Sequence, residues 1–161
     1  MSLAIVYTRA ALGIEAPLIT VEVHLSNGLP GLTMVGLPET TVKEARDRVR
    51  SALINSGYAF PAKKITINLA PADLPKEGGR YDLPIALALL VASEQLNTTR
   101  LNQYEFVGEL ALTGGLRGVP GAIPSAMEAI KAGRRIVVSS DNAAEVGLIG
   151  GSGCLRADHL Q

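Results

Sequence analysis

The sequence has few of the residue types that build metal centres or covalent frameworks. Its 161 residues include one cysteine, two histidines and no tryptophan, and aromatic residues make up only 4% of the chain. The single cysteine, Cys154, excludes a disulfide framework and a cysteine-based zinc cluster, and it fits a reducing compartment. His24 and His159 have no neighbours at metal-ligand spacing. We therefore predict no metal site in this chain.

Net charge and long apolar runs are also lacking. Fifteen basic and fifteen acidic side chains cancel, so nucleic acid or an anionic membrane would need a local basic patch. The longest apolar run, residues 83–92, contains Pro84 and is far shorter than the roughly 20 residues of a membrane span. No signal peptide is evident at Met1. We predict a cytoplasmic protein that does not bind membranes.

Common catalytic motifs are absent as well. The chain has no Gly-x-x-x-x-Gly-Lys-Ser/Thr loop for nucleotide phosphates and no Gly-x-Ser-x-Gly turn for a serine nucleophile. The sequence therefore predicts no complete catalytic site and no nucleotide-binding site within these residues.

The pattern of apolar residues predicts one globular α+β domain over residues 1–161. Hydrophobic residues make up 47% of the chain, and strand and helix periodicities alternate after three opening strands. We expect a two-layer mixed β-sheet with its helices mainly on one face, and an antiparallel meander for the opening strands. The predicted strands are 3–8, 19–25, 32–35, 64–69, 105–112, 134–139 and 154–157. The first predicted helix follows a cap at Thr40 or Thr41 and ends at Gly57. The other predicted helices span 82–96, with Asp82 as N-cap, 123–131 and 142–149.

The glycine-rich loop before the second helix is the first candidate site. Gly78 and Gly79 lie between Lys76 and Arg80, just ahead of a predicted helix N-terminus. Such backbone can hold a phosphate. An ordinary strand-to-helix connection explains the same residues, and the pattern alone favours that alternative.

The first helix offers a second candidate, a basic patch. Lys43, Arg46 and Arg50 share one helix face, and Lys63 and Lys64 follow soon after. Nucleic-acid phosphates would suit this patch. A solvated surface is the alternative, and the residues alone favour it, because acidic residues are interspersed and no aromatic side chain is interleaved for base stacking.

Three motifs together are more distinctive. They are the segment 68–86, NLAPADLPKEGGRYDLPIA, the segment 107–119, VGELALTGGLRGV, and the Gly-Leu-Pro turns at 28–30 and 36–38. Across essentially the whole chain they resemble the N-terminal domain of the ComM (YifB) family of magnesium-chelatase-like proteins. The resemblance implies a fold like the proteolytic domain of Lon and domain 2 of ribosomal protein S5.

The same resemblance implies the setting in which the domain works. An AAA+ ATPase module is expected beyond Gln161 in the full-length protein, with ATP and magnesium as its cofactors and none in this domain. Family members are implicated in natural transformation as hexameric, ATP-driven helicases that promote DNA branch migration. DNA and other copies of the same chain are therefore the expected partners.

Comparison with Lon implies a lost peptidase site. Arg80 stands at the position of Lon's nucleophilic serine, and Ile123 stands at or next to its general-base lysine. A guanidinium cannot act as the nucleophile and an isoleucine cannot activate one. The domain would then serve DNA contact, subunit assembly or coupling to the ATPase ring. An ATP-dependent protease domain and a purely structural collar are the alternatives. The candidate DNA-binding residues are Lys43, Arg46, Arg50, Lys63, Lys64, Lys76 and Arg80.

Overall fold

The computed structural model describes residues 2–74, 76, 78–96, 100–147 and 154–160. Within these residues it contains nine strands and four α-helices. The strands are β1 (Ser2–Arg9), β2 (Leu18–Ser26), β3 (Gly31–Val35), β4 (Lys64–Ala70), β5 (Tyr104–Phe106), β6 (Glu109–Leu110), β7 (Leu116–Arg117), β8 (Arg135–Ser139) and β9 (Cys154–Ala157). The helices are α1 (Glu39–Asn55), α2 (Asp82–Ala92), α3 (Ala122–Lys131) and α4 (Ser140–Gly147).

Seven strands form one mixed sheet in the order β3-β4-β2-β1-β5-β8-β9. β2 pairs antiparallel with β1 and β4, whereas the remaining neighbours pair in parallel. The predicted meander is therefore wrong for β3, which joins the sheet edge beside β4. The reason is the helix between them: a strand, a crossover helix and a second strand give a parallel pair.

Alternation of apolar side chains defines the inner face of the antiparallel half. Residues 19, 21, 23 and 25 of β2 are buried, as are residues 65, 67 and 69 of β4. The helices α1 and α2 pack with these strands into the main hydrophobic core. His24 is exposed, as its position in the alternating pattern predicted.

The helix α3 packs on the opposite face of the sheet. Ile136 and Val138 of β8 form a second core with Ala122, Ala126 and Ala129 of α3. In the sheet register Ile136 lies beside Glu105, and Glu105 lies beside Tyr7, so the three side chains share one face of the sheet. The side chain of Tyr7 points away from the face that α2 covers. The mixed sheet and the α+β class are confirmed, and α3 lies on the face opposite to α1 and α2.

Several predicted boundaries move for local reasons. The expected strand 105–112 divides into β5 and β6, because Gly108 bonds the start of α2 through Arg80 O and Leu83 N, both at 3.1 Å. α1 starts earlier than predicted, with Pro38 as N-cap and no side-chain cap. Neither Thr40 nor Thr41 is its cap.

The most apolar helix is buried rather than exposed, as predicted. α2 has 11 residues and contacts β1, β2 and α1. In the described ranges no helix combines the length and the apolar character that crossing a membrane requires.

Candidate functional site

A groove of about 660 Å³ lies between α1, the start of β3 and the segment 60–63. We call it the basic groove. Its charged lining residues are Arg46, Asp47, Arg50 and Lys63, and its larger apolar ones are Leu32, Ile54, Phe60 and Ile65. Three cations face one carboxylate, so the groove carries a net positive charge.

The local sequence explains why these side chains meet. Arg46 and Arg50 are four residues apart on α1 and therefore share a face, while Val49 and Leu53 turn into the core. The segment that carries Phe60 and Lys63 returns along this face after α1 ends. Its start is fixed by Gln95, whose side-chain amide accepts from Ala59 N at 2.8 Å and donates to Ala59 O at 2.7 Å.

The cations of the groove are only weakly engaged by other charges. Arg46 Nε lies 3.9 Å from Asp47 Oδ1, and the two side chains are 43% and 65% exposed. An ion pair with this exposure contributes little free energy. The guanidinium of Arg50 lies over the ring of Phe60, 5.3 Å from its centroid. The groove therefore presents positive charge to an incoming ligand.

Phe60 is the groove residue that sequence reasoning missed. The sequence had indicated that no aromatic side chain is interleaved with these cations for base stacking. The signal was an aromatic in the loop that follows the helix, at a place where the returning chain must run back past Arg50.

Lys43 and Lys64 are exposed but do not line the groove. Lys43 lies on the first half of α1, and Lys64 begins β4 with its aliphatic stem beside Gly28. The structure thus brings Arg46, Arg50 and Lys63 together and leaves these two lysines on the adjoining surface.

Arg80 belongs to a different cleft, of about 590 Å³, lined by residues 11–13, 78–80, 109 and 118–120. Its side chain is buried and donates to Arg9 O at 3.0 Å, Pro120 O at 2.6 Å and Ser125 Oγ at 2.8 Å. Burial lowers the pKa of Arg80 from its usual value. Its guanidinium therefore ties β1 and the start of α3 to the loop before α2.

Lys76 is folded back on its own loop. The residue is buried, and Lys76 Nζ donates to Pro71 O and to Leu74 O, the latter at 3.0 Å. Burial lowers the pKa of this amine, and nearby Asp73 opposes the shift. Lys76 and Arg80 thus satisfy backbone carbonyls and lie apart from the basic groove.

The carboxylate of Glu109 fills the space beside Gly79, where a Cβ atom would overlap it. Gly79 lies just ahead of α2, where an anion bound by the loop would be expected. This internal carboxylate favours the ordinary strand-to-helix connection over a phosphate site.

Asp82 is not the N-cap of α2, as the sequence had predicted. The cap is Tyr81, and Asp82 accepts instead from Arg48 Nε at 2.7 Å and from Leu110 N at 3.1 Å. Burial raises the pKa of Asp82 to about 6, although Arg48 and the Leu110 amide favour the carboxylate. The pair links α1 to α2 and β6.

Arg80 donates to Ser125 of α3, the helix that also carries Ile123. Among the described residues, no three His, Cys, Asp or Glu side chains are grouped to hold a metal ion.

These observations define an α+β domain with a basic, partly apolar groove beside the edge strand β3. A family model described as subunit ChlI of Mg-chelatase matches residues 21–142. Because this match covers most of the chain, the protein belongs to that family.

Individual relatives agree. The chain is 80% identical over 161 residues to the Escherichia coli (strain K12) protein YifB, covering all of this chain and 32% of that protein. It is 64% identical over 149 residues to competence protein ComM of Haemophilus influenzae, covering 92% of the chain and 29% of ComM. It is 38% identical over 152 residues to the Mycobacterium tuberculosis protein Rv2897c, covering 94% of the chain and 30% of that protein. The chain thus spans about a third of each relative, and the predicted resemblance to the ComM and YifB family is confirmed.

Proposed function

We propose that this domain is a non-proteolytic, DNA-contacting module of a magnesium-chelatase-like ATPase. In this proposal the whole protein drives DNA branch migration during natural transformation or recombination. ATP and magnesium act in the part of the relatives that this chain does not cover. The protein works in the cytoplasm as a ring, six-membered as the family resemblance implies, and the domain adds DNA contact to that assembly.

The observation that carries the proposal is the basic groove. Arg46, Arg50 and Lys63 converge there from two separate segments, with one carboxylate among them. Arginine and lysine side chains bind phosphates without reading sequence, which suits a protein that moves along DNA. Similarity to a protein named for competence supports DNA as the ligand.

The bonding of Arg80 supports a non-proteolytic role. A guanidinium occupies the position compared with a serine nucleophile, and it is committed to two carbonyls and a hydroxyl. An ATP-dependent protease remains the alternative, and turnover of casein by the full-length protein with ATP would favour it.

The test is DNA binding by the 161-residue chain at several salt concentrations. Replacing Arg46, Arg50 and Lys63 together by glutamate should weaken binding at least about tenfold. It should also reduce the slope of log affinity against log salt by about 2 to 3, since each of the three phosphate contacts contributes roughly 0.7–0.9. Fluorescence anisotropy with a labelled oligonucleotide measures both.

A matched control reverses three exposed cations elsewhere, Arg117, Lys131 and Arg156. It changes the net charge equally, so an effect of overall charge would appear in both variants. Equal losses of affinity in the two triple variants, or no loss in the groove variant, would refute DNA binding through the groove. Circular dichroism checks that both variants fold.

A further inference from the structure

We infer that the basic groove takes a single strand of nucleic acid, with one base stacked on the guanidinium of Arg50 above Phe60. The inference rests on the proposed function and specifies its ligand. It follows from the combination of charge and apolar surface in one groove.

The groove presents apolar surface as well as positive charge. Phe60, Leu32 and Ile54 line the groove together with its cations, and Ile54 is 49% exposed. Exposed apolar area of this kind gains free energy only when a ligand covers it with apolar atoms. The faces of nucleobases are such surfaces.

Arg50 and Phe60 contact each other inside the groove. The guanidinium carbon of Arg50 lies over the ring of Phe60, 5.3 Å from the ring centroid, and a cation–π contact favours this position. A planar group placed in this way is a platform on which an unpaired base stacks. Arg46 and Lys63 line the same groove and are available to the phosphates on either side.

A duplex fits this groove less well than a single strand. In a double helix the base faces are buried in the stack, and a protein meets phosphate, sugar and the base edges in the grooves instead. A duplex docked here would cover the apolar residues with charged groups, which costs desolvation free energy without a stacking gain. A single strand can place its phosphates against the cations of the groove and a base against its apolar residues.

The test compares a short mixed-sequence oligonucleotide with its duplex, both titrated against the 161-residue chain. Phe60→Leu should weaken single-strand binding by a factor of about 5 to 150, the loss expected for one stacked base. Duplex binding and the salt slope should stay unchanged, because no charge is removed. Phe60→Tyr keeps the ring and should bind the single strand like the parent protein.

A second variant covers the case in which Phe60→Leu disturbs folding, since Phe60 also packs against the core. Arg50→Lys keeps the charge and removes the planar group, so it should show the same loss confined to the single strand. Tyr104→Leu, an aromatic change outside the groove, serves as the control and should leave both affinities unchanged.

The outcomes separate this inference from the proposed function. If Phe60→Leu and Arg50→Lys leave single-strand affinity intact while the triple charge reversal abolishes it, the groove binds DNA by charge alone and the stacking inference is wrong. If a glutamate-rich peptide displaces the single strand and depends on Phe60, the ligand is an acidic protein segment and the inference is also wrong. If the charge reversal itself has no effect, the proposed function fails first.

Discussion

At the scale of single residues, Arg80 shows how a cation becomes structural. Its three hydrogen bonds reach Arg9 O, Pro120 O and Ser125 Oγ, which come from two distant parts of the chain. These acceptors are at or near the ends of β1 and α3. The side chain therefore fixes the relative position of elements on both faces of the sheet.

We predict that Arg80→Ala lowers the free energy of unfolding by about 3 kcal/mol or more. Each buried acceptor left without a donor costs roughly 1–3 kcal/mol. The measurement is urea denaturation followed by circular dichroism. Single-strand affinity of the folded variant should equal that of the parent, because Arg80 lies outside the basic groove.

Arg156→Ala is the comparison, because Arg156 is exposed on β9. It should change the free energy of unfolding by no more than about 0.5 kcal/mol. A folded Arg80→Ala protein of parental stability that had lost DNA affinity would reverse the assignment and make Arg80 a binding residue.

The sequence could not decide this point. A cation that follows two glycines and precedes a helix is compatible with two roles. It can bind an anion, or it can form structural hydrogen bonds within the protein. The deciding acceptors, Arg9 O and Pro120 O, lie 71 and 40 residues away from Arg80 in the chain. No local pattern gives their positions.

At the scale of elements, the crossover from β3 through α1 to β4 builds the basic groove. It places α1 beside the edge strand, so that Arg46 and Arg50 face the start of β3. The turn between β3 and α1 depends on Gly36, which has φ +99°. A Cβ atom there would overlap the backbone carbonyl oxygen of Leu69 in β4.

We predict that Gly36→Ala destabilises the protein by more than about 3 kcal/mol, because the overlap with β4 backbone adds to the cost of positive φ. Gly133→Ala is the matched control, since Gly133 has φ +80° and nothing within 4 Å of the added Cβ. It should cost only about 1–2 kcal/mol, the cost of the dihedral angle itself. Thermal and urea denaturation of both variants provide the measurement. Equal losses would mean that the turn relaxes and β3 does not depend on close contact with Leu69.

This crossover is also where the sequence prediction of the fold failed. Period-two alternation located β2 and β4 closely, because each has one buried face. Alternation does not say which strands pair. Short, half-exposed β3 was predicted beside β2, whereas the chain returns after α1 as β4, which lies between β3 and β2.

At the scale of the whole molecule, the sequence predicted those features of the structure that depend on local patterns of residues. The α+β class, the buried α2 and the helical spacing of Arg46 and Arg50 all follow from periodicity. The groove required two further facts, the path of residues 60–63 and the edge position of β3. Phe60 entered the site only through that path.

The sheet consists of two halves joined between β1 and β5. Within the described residues these strands meet at one register pair, Tyr7 opposite Glu105. Buried side chains reinforce the junction: Arg9 Nε lies 2.7 Å and Arg134 Nη1 lies 3.1 Å from the Glu105 carboxylate. The guanidinium of Arg134 also lies 4.1 Å from the ring centroid of Tyr7.

We therefore predict that Glu105→Gln uncouples the halves as well as destabilising the fold. Arg9 would keep a buried charge without its carboxylate partner, and removing one member of a buried pair costs about 3–5 kcal/mol. Native-state hydrogen exchange should show amides of β8 opening at a lower free energy than those of β2, by a wider margin than in the parent. Glu128→Gln removes an exposed partner of Lys131 and should change neither set by more than about 0.5 kcal/mol. If β8 and β2 lose protection by the same amount in Glu105→Gln, the sheet opens as one unit, and the charged cluster contributes to global stability without joining two separable halves.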